Sequence, residues 1–123
     1  MPKLLLVDDD SQLLELYKFI LEHAGHEVQM AETCQAAVLL LAATEPDVVI
    51  MDLRLPEMDD GLAFLHTLKN HQRPPGMPPL KVIVASGWTE DLPADVQKEA
   101  VDRVLAKPVR MEVLLSSITE LAQ

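Results

Sequence analysis

The chain has one cysteine, Cys34, so an intrachain disulfide is impossible. A lone thiol without a neighbouring base in the sequence reads as a small buried hydrophobe in a reducing compartment. Aromatic residues make up only 3%, so the core must be aliphatic, and a hydrophobic content of 49% supplies one. Basic residues are scarce: ten Lys and Arg stand against twenty Asp and Glu, for a net charge of −10. That balance argues against a nucleic-acid-gripping surface and against an anionic membrane. It suits a metal cation or a partner with a basic patch. Long apolar runs are missing as well. The longest, "AAVLLLAA" (36–43), is far too short to span a bilayer. The opening "MPKLLLVDDD" has too short an apolar stretch for a signal peptide and ends in acid. No internal repeat or low-complexity tract is present. What these absences leave is one domain over residues 1–123, expected in the cytoplasm.

What is there is an alternation of short aliphatic runs and amphipathic stretches. "KLLLV" (3–7), "DVVIM" (47–51), "KVIVA" (81–85) and "DRVLA" (102–106) are unbroken runs, the pattern of strands buried on both faces. "HEVQMA" (26–31) alternates like a strand. Between them, Leu13, Tyr17, Ile20 and Ala24 recur at helical spacing after a plausible N-cap at Ser11, and Gly25 ends that helix. "TCQAAVLLLAAT" (33–44) predicts a helix stopped by Pro46. "DGLAFLHTLKNH" (60–71) is amphipathic, with Leu62, Leu65 and Leu68 on one side. "TEDLPADVQKEA" (89–100) has room only for a short helix begun near Pro93, and "MEVLLSSITELAQ" (111–123) closes the chain. Five β-α units predict an α/β fold with one doubly wound, five-stranded parallel sheet of order 2-1-3-4-5. Ligands of such sheets sit beyond the carboxyl ends of the strands, at the switch point between the first and third.

The residues that follow the strands carry chemistry. The first strand runs into Asp8 and Asp9, the third into Asp52, the fourth into Ser86 and the fifth into Lys107. A single Asp after a strand ordinarily caps the next helix, and Asp10 reads as such a case. Carboxylates, a hydroxyl and a lysine at the ends of four strands do not reduce to capping. Three carboxylates against one ammonium leave two negative charges, which a divalent hard cation would cancel. Carboxylate oxygens suit octahedral Mg²⁺, or Mn²⁺. A carboxylate left partly free could attack a phosphoryl group that the cation, the ammonium and the hydroxyl steady. The constellation reads as aspartyl phosphorylation.

The motifs "LLVDDD" (5–10), "DVVIMDLRLPEMDDG" (47–61), "VIVASG" (82–87) and "VLAKPV" (104–109) make the chain resemble a two-component response-regulator receiver domain over essentially its whole length. The resemblance implies a flavodoxin-like fold with Asp52 as phosphoacceptor. Asp8 and Asp9 match the acidic pair that organises Mg²⁺, with Asp9 preferred as direct ligand and the Arg54 backbone carbonyl as another. Ser86 and Lys107 match the hydroxyl and lysine that follow the phosphoryl group. Pro108 keeps Lys107 out of helical conformation and favours the cis bond common in the family. The implied phosphodonor is a histidine kinase or histidine phosphotransfer protein, docking near the first helix and the loop after the fifth strand. The domain would then be a relay that catalyses only its own phosphorylation and slow hydrolysis, without touching nucleic acid or membrane itself. It is expected as a monomer or weak homodimer. Neither the downstream output nor the choice between stand-alone regulator and excised domain is legible.

Three features depart from the family pattern. Val104 stands where most receivers carry Tyr or Phe, so the usual aromatic readout is in doubt. "PEMDDG" is one residue longer than the usual loop, and the extra acid, Asp59 or Asp60, reads as a surface insertion capping the next helix. Arg54 and Trp88 lie two residues beyond Asp52 and Ser86, where the family places side chains that flank the path of the hydrolytic water. Two large groups there would give a long-lived phospho-Asp52.

Other features are assigned blander roles. "RPPGMPPL" (73–80) reads as a stiff loop, with docking through polyproline II as the minor alternative. His23, His26, His66 and His71 lack metal-like company and read as surface or packing residues. Three rival functions remain. A degenerate receiver would bind partners without phosphorylation, and Val104 is its main support. A Mg²⁺-dependent aspartyl-phosphate phosphatase of the haloacid-dehalogenase type would need a D-x-D whose second acid is followed by Thr, which "DDDS" (8–11) does not provide, and a cap domain for which the chain has no room. A flavodoxin would place its flavin phosphate where three aspartates repel it.

Overall fold

A computed structural model describes residues 3–52, 58–86, 101–106 and 109–122. The elements run β1 (Lys3–Val7), α1 (Ser11–His23), β2 (Glu27–Ala31), α2 (Cys34–Thr44), β3 (Val48–Met51), α3 (Met58–Asn70), β4 (Lys81–Ser86), β5 (Arg103–Ala106) and α4 (Met111–Ala122). The five strands form one sheet of order β2-β1-β3-β4-β5, with every neighbouring pair parallel. This is the expected topology, with four helices among the described residues. The expected short helix over 89–100 lies outside them.

The unbroken strands are explained by what covers them. Successive side chains of a strand point to opposite faces. Leu5, Val7, Val49, Met51, Val82 and Val84 join Ala37 and Leu41 of α2 and Phe64, Leu65 and Leu68 of α3. Leu4, Leu6, Val48, Ile50 and Ile83 join Leu14, Tyr17 and Leu21 of α1 and Leu114 and Ile118 of α4. Both faces of the central strands are therefore dry, and no polar alternation is tolerated there. β2, at the sheet edge, keeps exposed residues at Glu27 and Gln29, and β1 keeps one at its first position, Lys3.

Local details correct several expectations. The N-cap of α1 is Asp10, not Ser11: its Oδ1 accepts the Leu13 backbone N–H at 3.2 Å. Ser11 is the first helical residue. The buried stripe of α1 is Leu14, Tyr17 and Leu21, while Leu13 and Ile20 are half-buried and Ala24 is exposed. A periodicity of 3.6 fits both stripes, and the angle at which α1 meets the sheet selects between them. Helix α1 does end at Gly25, which has φ +100°. The Gly25 N–H reaches Glu22 O at 2.9 Å and the His26 N–H reaches Leu21 O at 3.1 Å, a Schellman closure. Helix α3 starts at Met58, two residues before the expected start. Asp59 and Asp60 thus fall in its first turn rather than in a loop ahead of it. Cys34 is half-buried rather than buried.

The opposite end of the sheet is tied by a polar clasp that the sequence did not announce. The Arg73 guanidinium is 6% exposed and lies 3.6 Å from Glu45 and 3.3 Å from Asp47. It also donates to Pro78 O at 2.8 Å, which pins the proline-rich connector. The His71 ring stands 3.1 Å from the Glu45 carboxylate, so His71 is a clasp member rather than a surface or apolar packing residue. Glu45 caps α2 in the left-handed region at φ +45°, just before Pro46. Asp47 Oδ2 accepts the Lys3 backbone N–H at 2.9 Å, linking the clasp to β1.

The cap assignment has a direct consequence. Asp10→Ala lowers the unfolding free energy by about 1 kcal/mol in a urea melt. Ser11→Ala, at an exposed first-turn position, changes it by less than about 0.5 kcal/mol. The reverse ranking would return the cap to Ser11.

Candidate functional site

The central strand pair builds the site. β1 and β3 pair from Leu4↔Val48 to Val7↔Met51, so the residues just past each strand emerge side by side. The ladder continues one step further: the Asp52 N–H donates to Val7 O at 2.9 Å, and the Asp8 N–H donates to Ala31 O at 3.1 Å. Asp8 is thereby anchored to β2 and Asp52 to β1. Asp8 is buried, at 7% exposure, and its Oδ1 accepts the Asp10 backbone N–H at 3.0 Å. Asp9 is exposed and Asp52 half-buried. One carboxylate oxygen from each of Asp8, Asp9 and Asp52 lies within 4.8 Å of the other two. Among the described residues this is the one cluster of three or more acidic, His or Cys side chains close enough to share a metal ion.

Three carboxylates at this spacing repel one another. At about 5 Å each pair costs from roughly 1 kcal/mol in water to roughly 3 kcal/mol at an effective dielectric of 20. The fold imposes that cost through the β1–β3 register, and a cation removes it. Octahedral Mg²⁺ binds oxygens at about 2.0–2.1 Å, which sets neighbouring ligands about 3 Å apart and opposite ones about 4 Å apart. Oxygens within 4.8 Å reach that arrangement by small side-chain adjustment or through a bridging water. The donor set is all oxygen and graded from buried to exposed, which fits a hard cation that keeps several waters.

The other expected site residues are placed in part. Met51 pairs with Val84, so Asp52 stands level with Ala85, and Ser86 lies one residue further along the neighbouring strand. Ser86 pairs with Ala106, the residue before Lys107. The sheet therefore carries Asp8, Asp9, Asp52 and the Ser86 backbone at one edge. Arg54, Trp88, Lys107 and Pro108 lie outside the described residues, as does the Ser86 side chain. Val104 is half-buried, pairs with Val84, and packs against the core on the α2–α3 side. The sequence missed one contributor. Asp10 caps α1 as expected, but its backbone N–H also fixes the Asp8 carboxylate, so the third aspartate is structural to the site. Only the tight "DDDS" turn into a helix could have signalled it.

Known proteins share this fold and sequence pattern. The model of the response regulator receiver domain family matches residues 4–119. Among curated proteins, the DNA-binding dual master transcriptional regulator RpaA of Synechocystis is 31% identical over 98% of this chain and 49% of its own length. The transcriptional regulatory protein GlrR of Escherichia coli is 37% identical over 95% of this chain and 25% of its own length. The chain thus spans half the length or less of these relatives. Among solved structures, a CheY-like receiver domain from Methylobacillus flagellatus superposes with a TM-score of 0.83 at 26% identity, covering 98% of both chains. A receiver domain protein from Clostridium thermocellum gives 0.83 at 28% identity, covering 99% of this chain and 94% of that one.

A doubly wound parallel sheet with an acidic cluster at its switch point, matched over residues 4–119 by the receiver family, defines a signalling module. The chain belongs to the response regulator receiver domain family of two-component systems. Among the described residues no helix is long and apolar enough to cross a membrane.

The repulsion within the cluster is testable without any phosphodonor. In chelator, Asp9→Asn raises the unfolding free energy by about 0.5–1 kcal/mol, because one of three like charges is gone. Millimolar Mg²⁺ stabilises the wild type more than the variant and closes or inverts the gap. A variant no more stable than wild type in chelator would show that the cluster carries no such strain.

Proposed function

We propose that residues 1–123 form one receiver domain that takes a phosphoryl group onto Asp52 from a phosphohistidine of a histidine kinase or phosphotransfer protein. The convergence of Asp8, Asp9 and Asp52 at the switch point carries this reading. Asp52 is the member on the middle strand of the sheet and is half-buried, so one oxygen can face an incoming donor. Its Oδ attacks phosphorus, the P–N bond breaks, and the imidazole leaves with the electron pair. Asp8, Asp9, Asp52 and the Arg54 carbonyl would hold Mg²⁺ or Mn²⁺, which when bound would neutralise charge on the transferring phosphoryl oxygens. The Lys107 ammonium pairs with one of those oxygens, and the Ser86 hydroxyl donates a hydrogen bond to another.

The acyl phosphate replaces a −1 carboxylate with a group of roughly −2 charge at the end of the sheet, and adjacent loops rearrange around it. Partner choice changes with that rearrangement. Val104 offers no ring to rotate, so the switch runs through Ser86 and its loop. The relatives' names speak of DNA binding and transcription; the −10 charge of this domain makes it the regulator of such an output rather than the nucleic-acid reader. A receiver that binds partners without phosphorylation is the second reading, and the aliphatic Val104 is the observation that favours it.

Intact mass after incubation with Mg²⁺ and a small-molecule phosphodonor tests the proposal. Wild type gains one phosphoryl adduct and Asp52→Asn gains none. The adduct decays slowly, and Arg54→Ala combined with Trp88→Ala shortens its lifetime severalfold. No adduct with any donor would leave the binding-only reading, and an adduct retained in Asp52→Asn would place the chemistry elsewhere.

A further inference from the structure

Helix α2 carries no charged residue over Cys34–Thr44, in a chain of net charge −10. Its inner side buries Ala37 and Leu41 against the sheet. Its outer side is also apolar: Val38, Leu39, Ala42 and Ala43 are exposed, together with Gln35. Leu39 is 72% exposed and Val38 40%. The spacing 35, 38, 39, 42, 43 is the i, i+3, i+4, i+7, i+8 stripe with which one helix packs on another. A helix apolar all round is ordinarily covered on all sides. Beside this ridge, between α2 and α3, runs a groove of about 500 Å³ lined by Cys34, Val38, Ala63, Phe64 and Thr67.

The geometry points to a second copy of this chain as the occupant, docked α2 against α2 antiparallel across a two-fold axis. Two observations select it. Ridge and groove lie on the same face, so each copy offers the knob that the other's groove accepts, as an isologous contact requires. The face is also uncharged, so two strongly acidic chains meet there without opposing like charges. A partner recruited by the acidic surface would bring basic groups and find nothing on α2 to pair with. Helix α1 makes the contrast: its exposed Leu16 and Phe19 sit among Glu15, Lys18 and Glu22. The exposed Ala42 and Ala43 let the helix axes approach closely.

The size of the face sets the strength. Helices of 11 and 13 residues are only about 16 and 20 Å long, and side by side, each about 10 Å wide, they present a face on the order of 350 Å². That is below the standard interface of about 800 Å² per partner, so the dimer is weak. Added salt tightens it by screening the repulsion between the two acidic bodies.

Sedimentation equilibrium of the full chain from about 10 μM to 1 mM, at low and high salt, tests the inference. Wild type shifts from one-chain to two-chain mass with concentration, at lower concentration in high salt. Leu39→Glu weakens association by at least about tenfold and Leu39→Gln by less, with unchanged circular dichroism and melting temperature as expected of an exposed position. Leu16→Glu on α1 leaves the dimer intact. One-chain mass across the whole range in high salt would overturn the inference. So would a dimer that survives Leu39→Glu.

Discussion

Everything at the site follows from the parallel pairing of β1 with β3 in the middle of the sheet. Four aliphatic residues from each strand are buried on both faces, from Leu4 to Val7 and from Val48 to Met51. A one-residue slip would exchange the faces of a whole strand, so the register is firmly set. That register places the next residues of both strands, Asp8 and Asp52, side by side. Their main-chain N–H groups extend the ladder, so the carboxylates cannot withdraw without breaking it. Hydrophobic burial thus holds like charges together, at a spacing that one cation can share.

Much of this was legible because unbroken aliphatic runs have few interpretations. Buried parallel strands, the 2-1-3-4-5 order and the acids just past β1 and β3 all come from the same pattern. What the sequence concealed depended on angles and on long-range pairing. The α1 stripe is Leu14, Tyr17 and Leu21, displaced by one position from the expected set, because helix orientation chose between two equally periodic faces. Ser11 and Asp10 are both readable as the cap, since both residue types cap well, and the backbone geometry selects Asp10. The Arg73 clasp joins the connector to Glu45 and Asp47 across 28 and 26 positions, and no local pattern encodes it. Lys107 and Trp88 stand as sequence readings alone.

The two ends of the sheet divide the work. At the carboxyl edge, the carboxylates of Asp8, Asp9 and Asp52 converge within reach of one shared ion. At the opposite edge, Arg73 and His71 answer the carboxylates of Glu45 and Asp47, and the connector is pinned by Pro78. A base tied by ion pairs under an acidic rim suits a switch whose loops rearrange while its frame stays fixed.

The central claim is that Asp8, Asp9 and Asp52 act together as one divalent-cation site. Calorimetric titration of Mg²⁺ into metal-free protein tests it most directly. The account predicts a single saturable site in wild type, weakened by at least about tenfold in both Asp9→Asn and Asp52→Asn. The absence of saturable binding, or equal affinity in all three proteins, would contradict it.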